Sequence, residues 1–312
     1  MNTNKQIAVL VPCYNEETTI RKVVEDFQKA LPNADVYVYN NNSTDRTEEI
    51  AADAGALVRR VSQQGKGNVV RMMFADVEAD CYIMVDGDDT YPAGDAAEMA
   101  RLVLEEGADM VVGDRLSATY FQENKRLFHN FGNALVRKSV NILFHADIYD
   151  IMTGYRAFSR VFVKTYPVLS QGFEIETDMS IHAIDKRLNI RNHVIEYRDR
   201  CEGSESKLNT YSDGFKVLMT IIRLFRLYKP FEFFSIFALL LLVITICFFV
   251  PVLLKYLKTG LVQEFPTLIV CGFTVIAALL SYFTGMTLHS IAQIARHDFE
   301  NQFKLVKMWP RQ

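Results

Sequence analysis

The chain has 312 residues, a net charge of -3 and half its residues hydrophobic. That length accommodates one large α/β domain with an appendage but not two ordinary large domains, and the near balance of charge excludes a global basic field for nucleic acid. The five cysteines, Cys13, Cys81, Cys201, Cys247 and Cys271, are scattered and form no CxxC pair, so neither a zinc site nor a disulfide framework is expected.

From the amino terminus, short apolar or β-branched runs alternate with segments of helical spacing. Strands are predicted at Ile7 to Val11, Val36 to Tyr39, Leu57 to Val61, Cys81 to Val85 and Met110 to Val112. Helices are predicted at Thr18 to Ala30, Arg46 to Ala54, Asn68 to Ala79 and Ala93 to Glu106. Such alternation implies a mostly parallel sheet covered by helices, with ligands outside the carboxyl ends of the strands. The first apolar stretch is short and ends in Pro, Asn and Glu, unlike a secretory signal, so this domain is expected to stay in the cytosol.

The polar motifs fall at those strand ends. Pro12-Cys13-Tyr14-Asn15-Glu16-Glu17 follows the first strand, with Asn15 placed to cap the next helix and with a ring and a carboxylate that suit a nucleobase. Asn40 to Thr47 follows the second, a polar cluster that caps a helix and leaves at the sheet edge amide side chains that, as donors and acceptors, match the edge of uracil. Gln64-Gly65-Lys66-Gly67 opens a helix after the third strand and can steady a diphosphate, although the Walker spacing is absent and a bare glycine turn would read the same way. After the fourth strand, Asp86-Gly87-Asp88-Asp89-Thr90 packs three carboxylates into four residues, a crowding that needs a cation or ligand to offset it. Gly113-Asp114-Arg115, Lys125-Arg126, Thr153-Gly154-Tyr155-Arg156 and Arg200 to Lys207 supply cations for phosphate oxygens.

The character changes near residue 230. Phe233 to Leu254 and Phe265 to beyond Leu288 carry no charged residue, each long enough to cross about 30 Å of hydrocarbon as a helix. Lys216, Arg223, Arg226 and Lys229 precede the first run and Arg296, Lys304, Lys307 and Arg311 follow the second, against Lys255 and Lys258 between them. That bias places both termini in the cytoplasm of a multi-pass cell-membrane protein. Basic and apolar residues alternate at helical spacing between Tyr211 and Lys229, as in an amphipathic helix lying in the headgroup region. The expected organisation is a catalytic domain at 1–208, a juxtamembrane helix at 209–230, and a membrane domain at 231–312 with spans near 233–255 and 266–289.

VPCYNEE, NNNSTDRT, QGKG, MVDGDD, GDR, TGYRAF and RCEGSESK, in this order and followed by two spans, resemble the family 2 glycosyltransferases. The branch resembled is that of dolichyl-phosphate mannose synthase and bacterial polyprenyl-phosphate glycosyltransferases. The resemblance implies a GT-A (Rossmann-like) α/β fold with a mostly parallel sheet, then an interfacial helix and two transmembrane helices. It implies transfer, with inversion, of a sugar from a nucleotide sugar to a polyprenyl (undecaprenyl or dolichyl) phosphate, with Mg²⁺ or Mn²⁺ as cofactor, in a protein that contacts membrane lipid and forms oligomers in relatives. By matching motifs, Pro12, Tyr14, Glu16 and Asn41 would hold base and ribose. Asp86 and Asp88, flanking Gly87, would be the metal pair with Thr90 as a further ligand. Lys66, Arg115, Arg200 and Lys207 would meet the diphosphate, Arg126 with Arg115 and Arg200 the acceptor phosphate, and Asp178 the sugar. Asn40 and Asn41 stand where many relatives have an Asp pair, which favours a UDP-sugar over GDP-mannose. A processive polysaccharide synthase, which would be expected to carry a QxxRW motif absent here, and a catalytically silent nucleotide-sugar-binding scaffold are the competing readings.

Overall fold

The computed structural model describes residues 5–115, 138–139, 141–142, 147–170, 172, 174–198, 219 and 222–309. They divide into two compact units, Met1–Gly214 with Asn301–Gln312, and Phe215–Glu300.

The first unit is built on a seven-stranded sheet of order β3-β2-β1-β4-β6-β5-β7. Its strands are β1 (Ile7–Cys13), β2 (Ala34–Asn40), β3 (Leu57–Arg60), β4 (Cys81–Met84), β5 (Met110–Asp114), β6 (Arg156–Ser159) and β7 (Ile190–Val194). β1 runs parallel to β2 and β4, β2 to β3, and β5 to β7. β6 is antiparallel to both β4 and β5, so six strands share one direction. The five predicted strands are present; β6 and β7 were not foreseen. Helices α1 (Ile20–Ala30), α2 (Thr47–Asp53), α3 (Lys66–Asp76) and α4 (Ala96–Leu104) connect the first strands, and α5 (Arg160–Thr165) and α6 (Ile175–Asp185) follow β6.

Helices cover both faces, so β1 buries Ala8 and Leu10 on one side and Val9 and Val11 on the other, the continuous apolar run of an interior parallel strand. α1 turns Ile20, Val23, Val24 and Phe27 inward, the one-face spacing of an amphipathic helix. Each of these fully buried side chains contributes about 1.5–3 kcal/mol of hydrophobic stabilisation. The helix starts two residues later than predicted and Asn15 does not cap it. Asn15 is left-handed, and its Oδ1 instead accepts the Thr44 N–H at 2.8 Å, tying together the loops after β1 and β2. Asp45 opens α2, its carboxylate accepting the Thr47 amide and hydroxyl at 3.0 and 2.5 Å.

The second unit contains α7 (Pro230–Thr259) and most of α8 (Phe265–Met308), preceded by helical residues 222–228. By length and composition both long helices can cross a membrane. Three buried positions on each recur at intervals of seven, Ala238, Thr245 and Val252 on α7 and Cys271, Ala278 and Gly285 on α8. That interval keeps one stripe facing its partner over two turns, and small residues let the backbones close in. Ser281 donates to the Phe234 carbonyl at 3.1 Å, and a Cβ on Gly285 would lie 2.8 Å from that of Phe234. The remaining surface is apolar and bare, with Phe248 60% and Phe273 69% exposed, a surface suited to lipid. α8 continues unbroken past the expected end of its apolar run to Met308, about 66 Å in all. Its last residues belong to the first unit, where Arg160 Nη1 donates to the Trp309 carbonyl at 3.1 Å.

Candidate active site

β4 ends at the shared carboxyl edge of the sheet, and the acidic turn begins two residues later. Each of its carboxylates is engaged. Thr90 donates its hydroxyl at 2.7 Å and its amide at 3.3 Å to Asp88 Oδ1. Lys22, on α1, bonds both oxygens of Asp89 at 2.6 Å, and Arg198 lies 3.6 Å from the same carboxylate. The Thr19 hydroxyl donates to the Gly87 carbonyl at 2.7 Å, fastening the turn to the loop after β1. Cys13 lies buried beneath it; burial first, then Glu16 and Asp86, push its thiol pKa well up, so it stays a neutral packing group.

Lys66 is the first residue of α3, and its Nζ lies 2.5 Å from Asp86 Oδ1 and 2.6 Å from Glu176 Oε1. Burial alone would pull the ammonium pKa down, but the two carboxylates outweigh it and hold it above the ordinary lysine value. Glu176 was not among the residues expected in the site. The carboxylate picked from that stretch, Asp178, accepts from the Tyr166 hydroxyl at 3.1 Å and the Ser170 hydroxyl at 3.0 Å. Residues two apart on a helix point about 200° apart, so on α6 only one of the two acids can face Lys66.

His182 lies further along α6, edge-on to Phe162 and Tyr166. Burial, helped by Lys186 and opposed by Asp185, lowers its pKa to about 4. The unfolded chain therefore binds the extra proton between about pH 6.5 and 4, and stability falls as pH drops through that window, by about 1.4 kcal/mol at about pH 5.5. A thermal melt followed by circular dichroism is expected to show this loss in the wild type and a flatter profile in His182→Phe.

The TGYR segment enters β6, whose first residue Arg156 pairs with Met84, and this register sets Gly154 beside Asp86. A Cβ on Gly154 would collide with Asp86 Oδ2, so the carboxylate occupies the space a side chain would take. Gly154→Ala must displace it. A shift of about 1 Å at a reacting centre costs about 10²-fold in rate, which is the loss expected in kcat/KM with the melting temperature little changed.

One of the expected phosphate contacts is corrected, and a second is engaged in an ion pair. Arg156 is fully buried and donates to the carbonyls of Thr153 and Ile151, at 3.1 and 2.6 Å, and to Ser180 Oγ at 2.9 Å; it braces the TGY loop from below and does not reach a ligand. Arg115 is paired with fully buried Asp150, at 2.6 and 3.2 Å, and its guanidinium lies 5.9 and 5.5 Å from the ring centres of Tyr91 and Tyr197. The pair uses Nε and Nη2 of the guanidinium.

In the expected base pocket, Tyr14 is exposed, Pro12 and Glu16 are partly buried, and the Glu16 amide donates to Thr47 Oγ1 at 2.8 Å. Asn41 is buried, and its amide is engaged elsewhere. Nδ2 donates to the carbonyls of Val61 and Gln63 at 3.0 and 2.8 Å, and Oδ1 accepts the Gly65 N–H at 2.8 Å. It shapes the loop that presents Lys66, and both its amide protons are used there, not on a uracil. Arg126, Arg200 and Lys207 lie outside the described residues.

A family model described as glycosyl transferase family 2 matches residues 8–166, half of the chain. The chain belongs to this family. Glycosyltransferase AglJ of Haloferax volcanii is 35% identical over 224 residues, covering 72% of this chain and 73% of that protein. The dolichyl-phosphate hexose transferase of the same organism is 28% identical over 222 residues, 71% of this chain and 95% of that one. Among solved structures, glucosyl-3-phosphoglycerate synthase of Mycobacterium tuberculosis, in complex with Mn²⁺, UDP-glucose and phosphoglyceric acid, matches with a TM-score of 0.57 at 22% identity, over 70% of this chain and 79% of that one. At that identity the likeness is one of fold, a GT-A glycosyltransferase core.

The donor set of this family 2 glycosyltransferase suits a hard divalent cation. Asp86 and Asp88 offer carboxylate oxygens and Thr90 a hydroxyl, and the Lys66 ammonium already stands as a cation on Asp86. Among the described residues no three His, Cys, Asp or Glu side chains form a metal cluster. Two carboxylates completed by phosphate oxygens and water are the usual holding of Mg²⁺.

Proposed function

We propose that this family 2 glycosyltransferase moves one sugar from a nucleotide-sugar donor, a UDP-sugar, to polyprenyl phosphate at the cytoplasmic face of a membrane, giving polyprenyl-phosphate-sugar. The observation that carries the reading is the Asp86-Gly87-Asp88 turn, fastened to the loop after β1 at the carboxyl edge of the sheet, in a chain that also has two helices able to cross a membrane. Relatives named as transferases to dolichyl phosphate support the acceptor. A uridine donor is in keeping with the UDP-glucose held by a structural relative of the same fold.

Asp86 and Asp88, with Thr90 beside them, would hold Mg²⁺ or Mn²⁺, which supplies neutralisation of the charge developing on the departing nucleoside diphosphate. The acceptor needs little activation, because the second pKa of a phosphomonoester is about 6 and its oxygen is largely ionised near neutral pH. Direct displacement with inversion at the anomeric carbon follows, and the protein's task is to align and to screen charge. The tail of the acceptor stays in lipid, so helices α7 and α8 and the basic, apolar segment before them would keep the search for it on a surface. Both termini are cytoplasmic in this reading.

The test incubates membranes containing the chain with labelled UDP-sugars and GDP-mannose, with polyprenyl phosphate added. Label from one UDP-sugar should move into the organic phase as a single-sugar lipid. Transfer from GDP-mannose alone would overturn the uridine assignment, and a polymer or a water-soluble product would overturn the acceptor.

A further inference from the structure

Lys66 is shared by two carboxylates that play unequal parts. Asp86 lies in the acidic turn and its side chain is 29% exposed, whereas that of Glu176, arriving from α6, is 6% exposed. An ammonium at 2.5 Å from Asp86 occupies the carboxylate oxygen that a divalent cation would also seek, so Lys66 competes with the cation. Glu176, at 2.6 Å on the other side of Nζ, draws the ammonium away from Asp86 and adds a negative charge to the site. The same residue reaches deeper into the fold. Its carbonyl accepts the Ser180 hydroxyl at 2.9 Å, and that hydroxyl in turn receives Arg156.

We propose that Glu176 is a positioning residue that sets how readily a divalent cation enters the acidic turn, by holding Lys66 between itself and Asp86. The inference rests on the reading of Asp86 and Asp88 as the cation site. With Glu176 neutralised, Lys66 falls wholly on Asp86 and Asp86, Asp88, Lys66 and residue 176 together change from a net charge of two negatives to one, and both effects weaken cation binding. Removing Lys66 as well restores the two uncompensated negatives and removes the competitor. A residue needed only for packing would behave in the opposite way, since a second substitution would add to the damage.

Mn²⁺ binding to the full-length protein in detergent, read by electron paramagnetic resonance without donor or acceptor, separates these cases. Glu176→Gln should require about tenfold more Mn²⁺ than the wild type, in the range typical when a partner of a metal ligand is lost. Glu176→Asp should fall between the two, and Lys66→Met with Glu176→Gln should return to within about threefold of the wild type. Circular dichroism checks that each variant is folded. Should Glu176→Gln prove unstable because Arg156 loses a nearby negative charge, the double variant and Glu176→Asp carry the test. Unchanged Mn²⁺ affinity in Glu176→Gln, Glu176→Asp binding no better than Glu176→Gln, or a double variant at least tenfold weaker than the wild type, would overturn the proposal. No Mn²⁺ binding by the wild type would overturn the cation site itself, and this inference with it.

Discussion

Asp88→Ala is expected to lower sugar transfer by about 10³-fold, equivalent to about 4 kcal/mol of transition-state stabilisation, while leaving the fold intact. The side chain is buried at the mouth of the sheet edge, and its bonds to the Thr90 amide and hydroxyl lie within its own turn. The turn keeps other anchors, Lys22 on Asp89 and Thr19 on the Gly87 carbonyl, so the backbone should hold its course without Asp88. Initial rates of lipid-linked product, compared with circular dichroism melts of the same preparations, check both halves. A variant retaining a tenth of the wild-type rate would show that Asp88 does not screen the leaving group.

Arg115→Ala is expected to destabilise the first unit by about 3 kcal/mol, because it strands the charge of Asp150, which has no exposed surface. Its sequence position beside Gly113-Asp114 suggests a phosphate contact, and the two roles separate cleanly. A phosphate ligand would raise the donor KM and leave the melt unchanged. An internal ion pair would lower the melting temperature, and Asp150→Asn added to Arg115→Ala would recover part of the loss by removing the stranded charge. The melts of the single and double variants decide.

What could be read from the sequence was what local pattern controls. The strands β1 to β5 announce themselves as apolar runs, the acidic turn as three carboxylates directly after one of them, and the two long helices as charge-free stretches. What could not be read depends on pairing between distant segments. β6 inserts antiparallel between β4 and β5, and nothing in Arg156 to Ser159 announces that register. Yet the register places Gly154 against Asp86 and buries Arg156. The choice of Glu176 over Asp178 likewise turns on which face of α6 meets Lys66, and three acids spaced two apart leave it open. Asn41 illustrates the converse. Its chemistry suits uracil, but the fold uses the amide to tie the end of β2 to the 61–65 loop. Short polar side chains near loop backbone often satisfy it first.

In the proposed function the acidic turn works through a divalent cation on a nucleotide sugar beside a lipid acceptor. The deciding experiment is single-turnover transfer by purified wild-type protein in liposomes containing polyprenyl phosphate, run in chelator and then with Mg²⁺ or Mn²⁺ restored. No lipid-linked sugar should form in chelator, and adding either ion should restore transfer in full. Transfer that proceeds undiminished without a divalent cation would contradict it.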